Sequence, residues 1–303
     1  MTGSGLATDL GDGVLLVDKP VGPTSHDVVS LVRRSLGTRR VGHTGTLDPF
    51  ASGLLLVCVN RATRLVEYLH GFAKEYVAVA QLGQVTDTLD PEGEVVATHD
   101  GWRELGPGEI ASAMALLSSR TTQLPPVFSA KKVGGEAAHR RVRRGEAVDL
   151  EPVPVTIHHL ELLSWEPPFL EFRTRVSTGT YIRAIARDLG EILGVGGYLR
   201  TLRRTAIGPF AVEDAVSTDH LSDLDGLPET AWRPALEALA HLPSLPVDLE
   251  GAQDILAGRT VSVPVGTHLP DGTLVALAQA GRLLAVAEAS DGRLQPRKVF
   301  PLV

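Results

Sequence analysis

The chain has 303 residues, 43% of them hydrophobic and 21% charged, the make-up of a globular protein rather than a low-complexity one. Its longest apolar run, Leu54–Val59, falls far short of the roughly 18 residues a membrane-spanning helix needs, and its single cysteine, Cys58, excludes an internal disulfide. The net charge of −7 argues against a nucleic-acid partner until its distribution is read: residues 213–254 hold ten acids and one base, leaving 28 bases against 26 acids elsewhere.

Residues 1–12 are rich in Gly and Asp and are expected to lack fixed structure. The first base is Lys19, so the start lacks the charged opening of a secretory signal, and a cytoplasmic location is expected. Val14–Val17 reads as a buried strand and Lys19–Ser25 as a breaker-rich turn. Thr24 or Ser25 can cap a helix running to Leu36, with Gly37 at its end. Leu54–Val59 reads as a second strand with Cys58 as a core thiol, followed by a short helix over about 61–69. Lys74–Leu82 alternates, setting Tyr76, Ala78, Ala80 and Leu82 on one face. Pro107–Leu117 reads as a helix, and Pro125–Pro126 breaks the chain ahead of a basic segment.

That segment, within Arg120–Ala147, holds seven bases and two acids. On charge alone it reads as a solvated helix face or as a phosphate-binding patch. Leu170–Val176 alternates again. A helix over about 180–193 aligns Ile182, Ile185, Ala186, Leu189 and Leu193 at helical spacing. The acidic stretch from about 213 to 245 reads as a connection with one short helix. From about 246, short Val/Leu-rich strands separated by Asp271-Gly272 and Asp291-Gly292 predict a small β-rich unit. Strands and helices mix without regular βαβ alternation, so the fold class expected is α+β. No Cys/His cluster has ligand spacing, so no metal is expected.

The most informative stretch is Val41–Leu56, VGHTGTLDPFASGLLL. Gly42, Gly45 and Gly53 allow a tight loop, and Pro49 biases Asp48 to an extended backbone just before an apolar strand. That placement suits a rigidly held carboxylate, yet Asp-Pro by itself is a common turn dipeptide, and the two residues alone favour that plainer reading. The wider sequence changes the balance. GHTGTLDPFASGLL resembles the catalytic motif of the TruB family of pseudouridine synthases. Lys19–Ser25 (KPVGPTS) resembles that family's first motif, and Lys74-Glu75-Tyr76 with Gln81–Thr88 its tyrosine motif. Pro125–Lys131 (PPVFSAK) resembles its PPxxSAxK segment, and Ser177–Leu189 (STGTYIRAIARDL) its arginine motif. The five segments occur in the family's order and span about 14–206.

The resemblance implies isomerisation of uridine 55 to pseudouridine in the T arm of tRNA. The catalytic domain would have a mixed, largely antiparallel sheet with flanking helices over 1–245, and a small β-rich RNA-binding domain of the PUA type would cover 246–303. The reaction breaks the C1′–N1 bond, turns the uracil and bonds C1′ to C5. It needs neither redox change nor cofactor, and a carboxylate nucleophile divides it into two easier steps. The resemblance gives that role to Asp48, a charge-pairing role to Arg183, and stacking on the uracil to Tyr76. In isolation, Arg183 is as readily a surface arginine and Tyr76 a half-buried strand residue. Tyr181 and Leu202 match base-pocket positions. His43 matches a residue bordering the space left by the extruded nucleotide. Lys19, Lys131, Arg140, Arg141, Arg143 and Arg144 are expected to bind substrate, the last five from an insertion over about 125–152 that closes on RNA. One departure falls there: His139 stands where the family often has tyrosine. The partner expected is tRNA, with no guide RNA and no second copy of the chain.

Overall fold

The structure, a computed structural model, describes residues 10–129, 132–133, 136–137, 141, 144, 146, 149–221 and 227–301. Strand β1 (Gly13–Lys19) is apolar on both faces and is buried on both. Helix α1 (Ser25–Leu36) starts where the sequence offers a cap: the Thr24 hydroxyl accepts from the Asp27 N–H at 3.1 Å, and the Asp27 carboxylate accepts from the Thr24 N–H at 2.8 Å. It stops at Gly37, whose φ of +63° is the left-handed conformation glycine adopts without penalty. Strands β2 (Val41–His43), β3 (Ser52–Val59) and β4 (Lys74–Leu82) follow, and β4 alternates in burial as its sequence predicts. The expected helix near 61–69 is a 3-10 turn over Asn60–Leu65 running into Val66–His70.

Helix α2 (Pro107–Ser118), strands β5 (Ile157–Glu166) and β6 (Phe169–Val176), helix α3 (Ile182–Ile192) and strand β7 (Gly197–Ile207) complete the frame. One large sheet runs in the order β5-β6-β4-β7-β3-β1, closed by β8 (Val216–Ser217). Its pairings are antiparallel except β7 with β3 and β1 with β8, so the expected mixed, largely antiparallel α+β fold is the one observed. Apolar residues of α2 and α3, among them Ile110, Met114, Ile185 and Leu189, share a core with Ala80, Leu82, Phe172 and Leu199. Val28, Val29 and Val32 of α1 pack with Leu15, Val17, Leu55 and Val57. The alternate residues Val14, Leu16, Leu54, Leu56 and Cys58 face the other way. Cys58 is fully buried, and burial pushes its thiol up to about 12, so it is an inert core group.

The acidic stretch is more than a connection. Val216–Ser217 adds a parallel strand to β1, and β9 (Trp232–Pro234) pairs antiparallel with its start. From Ser244 a five-stranded sheet forms, with a helix over Leu249–Leu256. Its Ala276, Leu283 and Val286, with the following Phe300, join the core of Val14 and Leu56, so this unit is fused to the body by buried apolar contact. Among the described residues, no helix is long and apolar enough to cross a membrane.

Candidate active site

The loop between β2 and β3 carries Asp48, and its backbone carbonyls are held from below by buried cations. Lys19 donates to the carbonyls of Pro20 at 2.8 Å, Pro23 at 2.9 Å and Pro49 at 3.4 Å. Arg204 of β7 donates to Leu54 O at 2.7 Å, Gly45 O at 3.2 Å and Thr46 O at 3.4 Å. The Ser25 hydroxyl accepts from the Leu47 N–H at 2.9 Å and donates to the Leu47 carbonyl at 3.2 Å. The Gly22 N–H reaches Pro49 O at 2.8 Å. The KPVGPTS segment is therefore the bracket that fixes the loop one residue either side of Asp48. The Lys19 side chain, expected to bind substrate, is here fully buried on these carbonyls.

Arg183 lies in the first turn of α3 and meets Asp48 at 3.1 Å, Nε to Oδ2. Both terminal nitrogens of its guanidinium also have partners. Nη1 donates to Asp90 Oδ2 at 2.9 Å and to Thr88 O at 3.0 Å, and Nη2 donates to Phe128 O at 3.0 Å. Arg183 and Asp90 are nearly fully buried, whereas the Asp48 side chain keeps 37% of its surface open. A planar fork can hold two carboxylates and two carbonyls at once, which a lysine ammonium cannot do with the same geometry. Burial pushes the Asp48 carboxyl above its usual range; Arg183 pulls it back, Asp90 adds repulsion, and Lys19 pulls it down. One carboxylate thus faces an opening while its partner cation is anchored from three other sides.

Tyr76 of β4 is opposite Thr174 and Arg204 in register and is buried in the cluster containing Leu47, Phe50, Ile182 and Leu202. Tyr181 is half-buried and precedes α3. The structure thus brings Tyr76 and Leu202 into one cluster with Leu47 and Ile182, neighbours in the chain of Asp48 and Arg183. His43 lies on β2, its ring edge-on to His26 with centroids 5.7 Å apart. Among the described residues its buried Nδ1 has no hydrogen-bond partner, and burial, with His26 and Arg204, holds its pKa below the usual histidine value. Of the basic segment, Arg141 and Arg144 donate to the two oxygens of Glu146 at 2.8 and 2.7 Å. Lys131, Arg140 and Arg143, with His139, lie outside the described residues.

Sequence reading missed Arg204, Ser25, Asp90 and the buried Gln123. For Asp90 a signal exists: Thr88-Leu89-Asp90-Pro91 repeats Thr46-Leu47-Asp48-Pro49, and both aspartates meet the same guanidinium. Leu89 adopts φ +63°, uncommon for a side-chain-bearing residue, to aim Asp90 inward.

Residues 33–182 match the family described as TruB family pseudouridylate synthase (N terminal domain), and 183–240 match tRNA pseudouridylate synthase B C-terminal domain. The chain belongs to the TruB family. It is 41% identical to tRNA pseudouridine synthase B of Arthrobacter sp. (strain FB24) over 299 residues, 95% of this chain and 96% of that protein. With tRNA pseudouridine synthase B of Thermobifida fusca (strain YX) it shares 42% over 305 residues, 96% and 99% of the two chains. Among solved structures, a chain of a Cbf5-Nop10-Gar1 complex superposes with TM-score 0.74 at 28% identity, covering 98% of this chain and 87% of that one. A chain of an H/ACA RNP bound to a substrate RNA containing 2′-deoxyuridine gives 0.71 at 26%, covering 98% and 88%. The five-stranded unit after Ser244 lies beyond both matched TruB segments.

Proposed function

We propose that this TruB-family enzyme isomerises uridine 55 to pseudouridine in the T arm of tRNA, with Asp48 as the nucleophile. The observation that carries the reading is the Asp48 carboxylate held at 3.1 Å by a buried arginine whose two terminal nitrogens are both anchored on other groups. A nucleophilic carboxylate must be fixed and ionised, and a guanidinium anchored on three other groups supplies both without following the substrate. Glycosidic-bond isomerisation returns every atom to the product, so the site needs to hold a base, one nucleophile and a water-poor wall. The buried apolar cluster around Tyr76 and Leu202 supports such a wall, with Tyr76 and Tyr181 as the rings that meet the extruded uracil. His43, neutral and bordering the loop, fills the space the nucleotide leaves.

The basic insertion over about 125–152, through Lys131 and Arg140 to Arg144, grips phosphates, and the unit over 246–303 acts as a PUA-like second RNA contact. The catalytic unit then spans 1–245. The enzyme acts in the cytoplasm as a monomer without guide RNA. The resemblance to chains of multi-component assemblies, one of them an H/ACA RNP, makes the need for a guide or partner the first question to test. Incubating the purified protein with an unmodified tRNA transcript and mapping pseudouridine answers it. Modification at position 55 alone is expected; modification only after adding guide RNA or partner proteins would overturn the stand-alone reading.

A further inference from the structure

Helix α3 begins without the cap that helices of its kind rely on. Its N-cap residue is Tyr181, whose side chain makes no capping hydrogen bond, and no acid lies in the first turn. The missing partner comes from elsewhere in the chain. Gln123, only 4% exposed, accepts the Tyr181 N–H on Oε1 at 2.9 Å and donates from Nε2 to the Tyr181 carbonyl at 3.1 Å. That carbonyl also takes the N–H groups of Ala184 at 3.1 Å and Ile185 at 3.2 Å, so it closes the first helical turn. Arg183 lies within this turn. Gln123 itself is fixed by pairing with Val153 across the two-stranded root of the basic insertion. The chain that continues from Gln123 touches α3 twice more, through Arg183 to Phe128 O and Arg187 to Leu124 O, each at 3.0 Å.

We infer that Gln123 is a positioning residue for catalysis, its amide fixing the Tyr181 backbone and the first turn of α3 so that the Arg183 fork stays aimed at Asp48. This rests on the roles of Asp48 and Arg183 proposed above. A reciprocal amide lock sets both the height and the rotation of a helix start, and a buried amide deprived of its partners costs more than the bond itself. Removing it frees the turn to fray while the apolar face of α3, with Ile185 and Leu189, stays packed.

The test uses the full-length protein and unmodified tRNA transcript under single-turnover conditions with enzyme saturating. Gln123→Met removes both hydrogen bonds at similar volume, and Gln123→Glu keeps the acceptor but loses the donor. Both are expected to lower the rate constant roughly 10- to 100-fold, the cost of misplacing a catalytic group by up to about 1 Å. The reaction amplitude and the tRNA Kd stay at wild-type values, and the acid limb of the rate–pH profile moves to higher pH. Combined with Arg183→Lys, Gln123→Met is expected to add little further loss, because both act on the same ion pair. Loss of amplitude or of melting temperature with an unchanged rate constant would reduce Gln123 to a structural role. Losses that multiply fully in the double variant would show that it acts elsewhere. Asp48→Asn is the control: if that variant turns over normally, the nucleophile assignment fails, whereas a dead Asp48→Asn with a normal Gln123→Met overturns this inference alone.

Discussion

Replacing Gly53 by alanine tests the join on which the catalytic loop depends. Gly53 is the second residue of β3, has φ +105°, and is paired with Arg204 where β3 and β7 run parallel. A Cβ there would lie 2.2 Å from the Arg204 carbonyl oxygen and 2.6 Å from its nitrogen, both backbone atoms that no rotamer change can move. The strands must separate by roughly 1 Å, and the left-handed backbone adds its own strain, for a combined cost of about 3 kcal/mol. The displaced residue is the one whose guanidinium holds the carbonyls of Gly45, Thr46 and Leu54. The single-turnover rate is therefore expected to fall on the order of 100-fold, as for a catalytic group shifted by about 1 Å. Urea unfolding measures the first effect and pseudouridine formation in tRNA the second. An alanine variant with wild-type stability and rate would refute the claim that close approach at this join positions Asp48.

Asp48→Asn is expected to raise stability at pH 7, because burial makes the ionised carboxylate less favourable in the native state than in the unfolded chain. Wild-type stability falls as pH rises through the raised native pKa, so the melting-temperature advantage of the variant should vanish below the unfolded value of roughly pH 4. A variant no more stable at pH 7 than wild type would contradict the desolvation account. Arg183→Lys should slow isomerisation on the order of 100-fold and shift the acid limb of the rate–pH profile upward, since an ammonium cannot serve both carboxylates with the fork's geometry. An unmoved acid limb would separate Arg183 from the ionisation of Asp48. Changing Arg141 and Arg144 together to glutamine should weaken tRNA binding and lower the slope of log K against log salt by about one for each phosphate left unneutralised, read from filter binding over a salt series.

Local signals in the sequence were legible where local physics decides. Thr24 and Gly37 bound their helix because a hydroxyl cap and a left-handed glycine act within one turn. The alternation of Lys74–Leu82 survives folding because one face of that strand is buried. Asp48 stood out only through five ordered motifs, since Asp-Pro alone is an ordinary turn. Its supports were illegible for a different reason. Arg204 reaches a carbonyl 150 positions away, Arg183 an aspartate 93 away, and Gln123 a backbone 58 away. Such pairings carry no period and appear only after the sheet has formed. Lys19 shows the same limit: its contacts with three backbone carbonyls, one of them 30 positions away, are invisible in the motif that contains it. The two- and three-residue strands Val216–Ser217 and Trp232–Pro234 are too short for alternation to register, so an acidic stretch that joins the sheet read as a connection.

The most direct test of Asp48 as the nucleophile is Asp48→Asn assayed for pseudouridine at position 55 alongside tRNA binding. The substitution keeps the shape of the side chain and removes the carboxylate that Arg183 holds. Binding at the wild-type Kd with no pseudouridine formed is the expected result. Normal turnover by the variant would contradict the assignment.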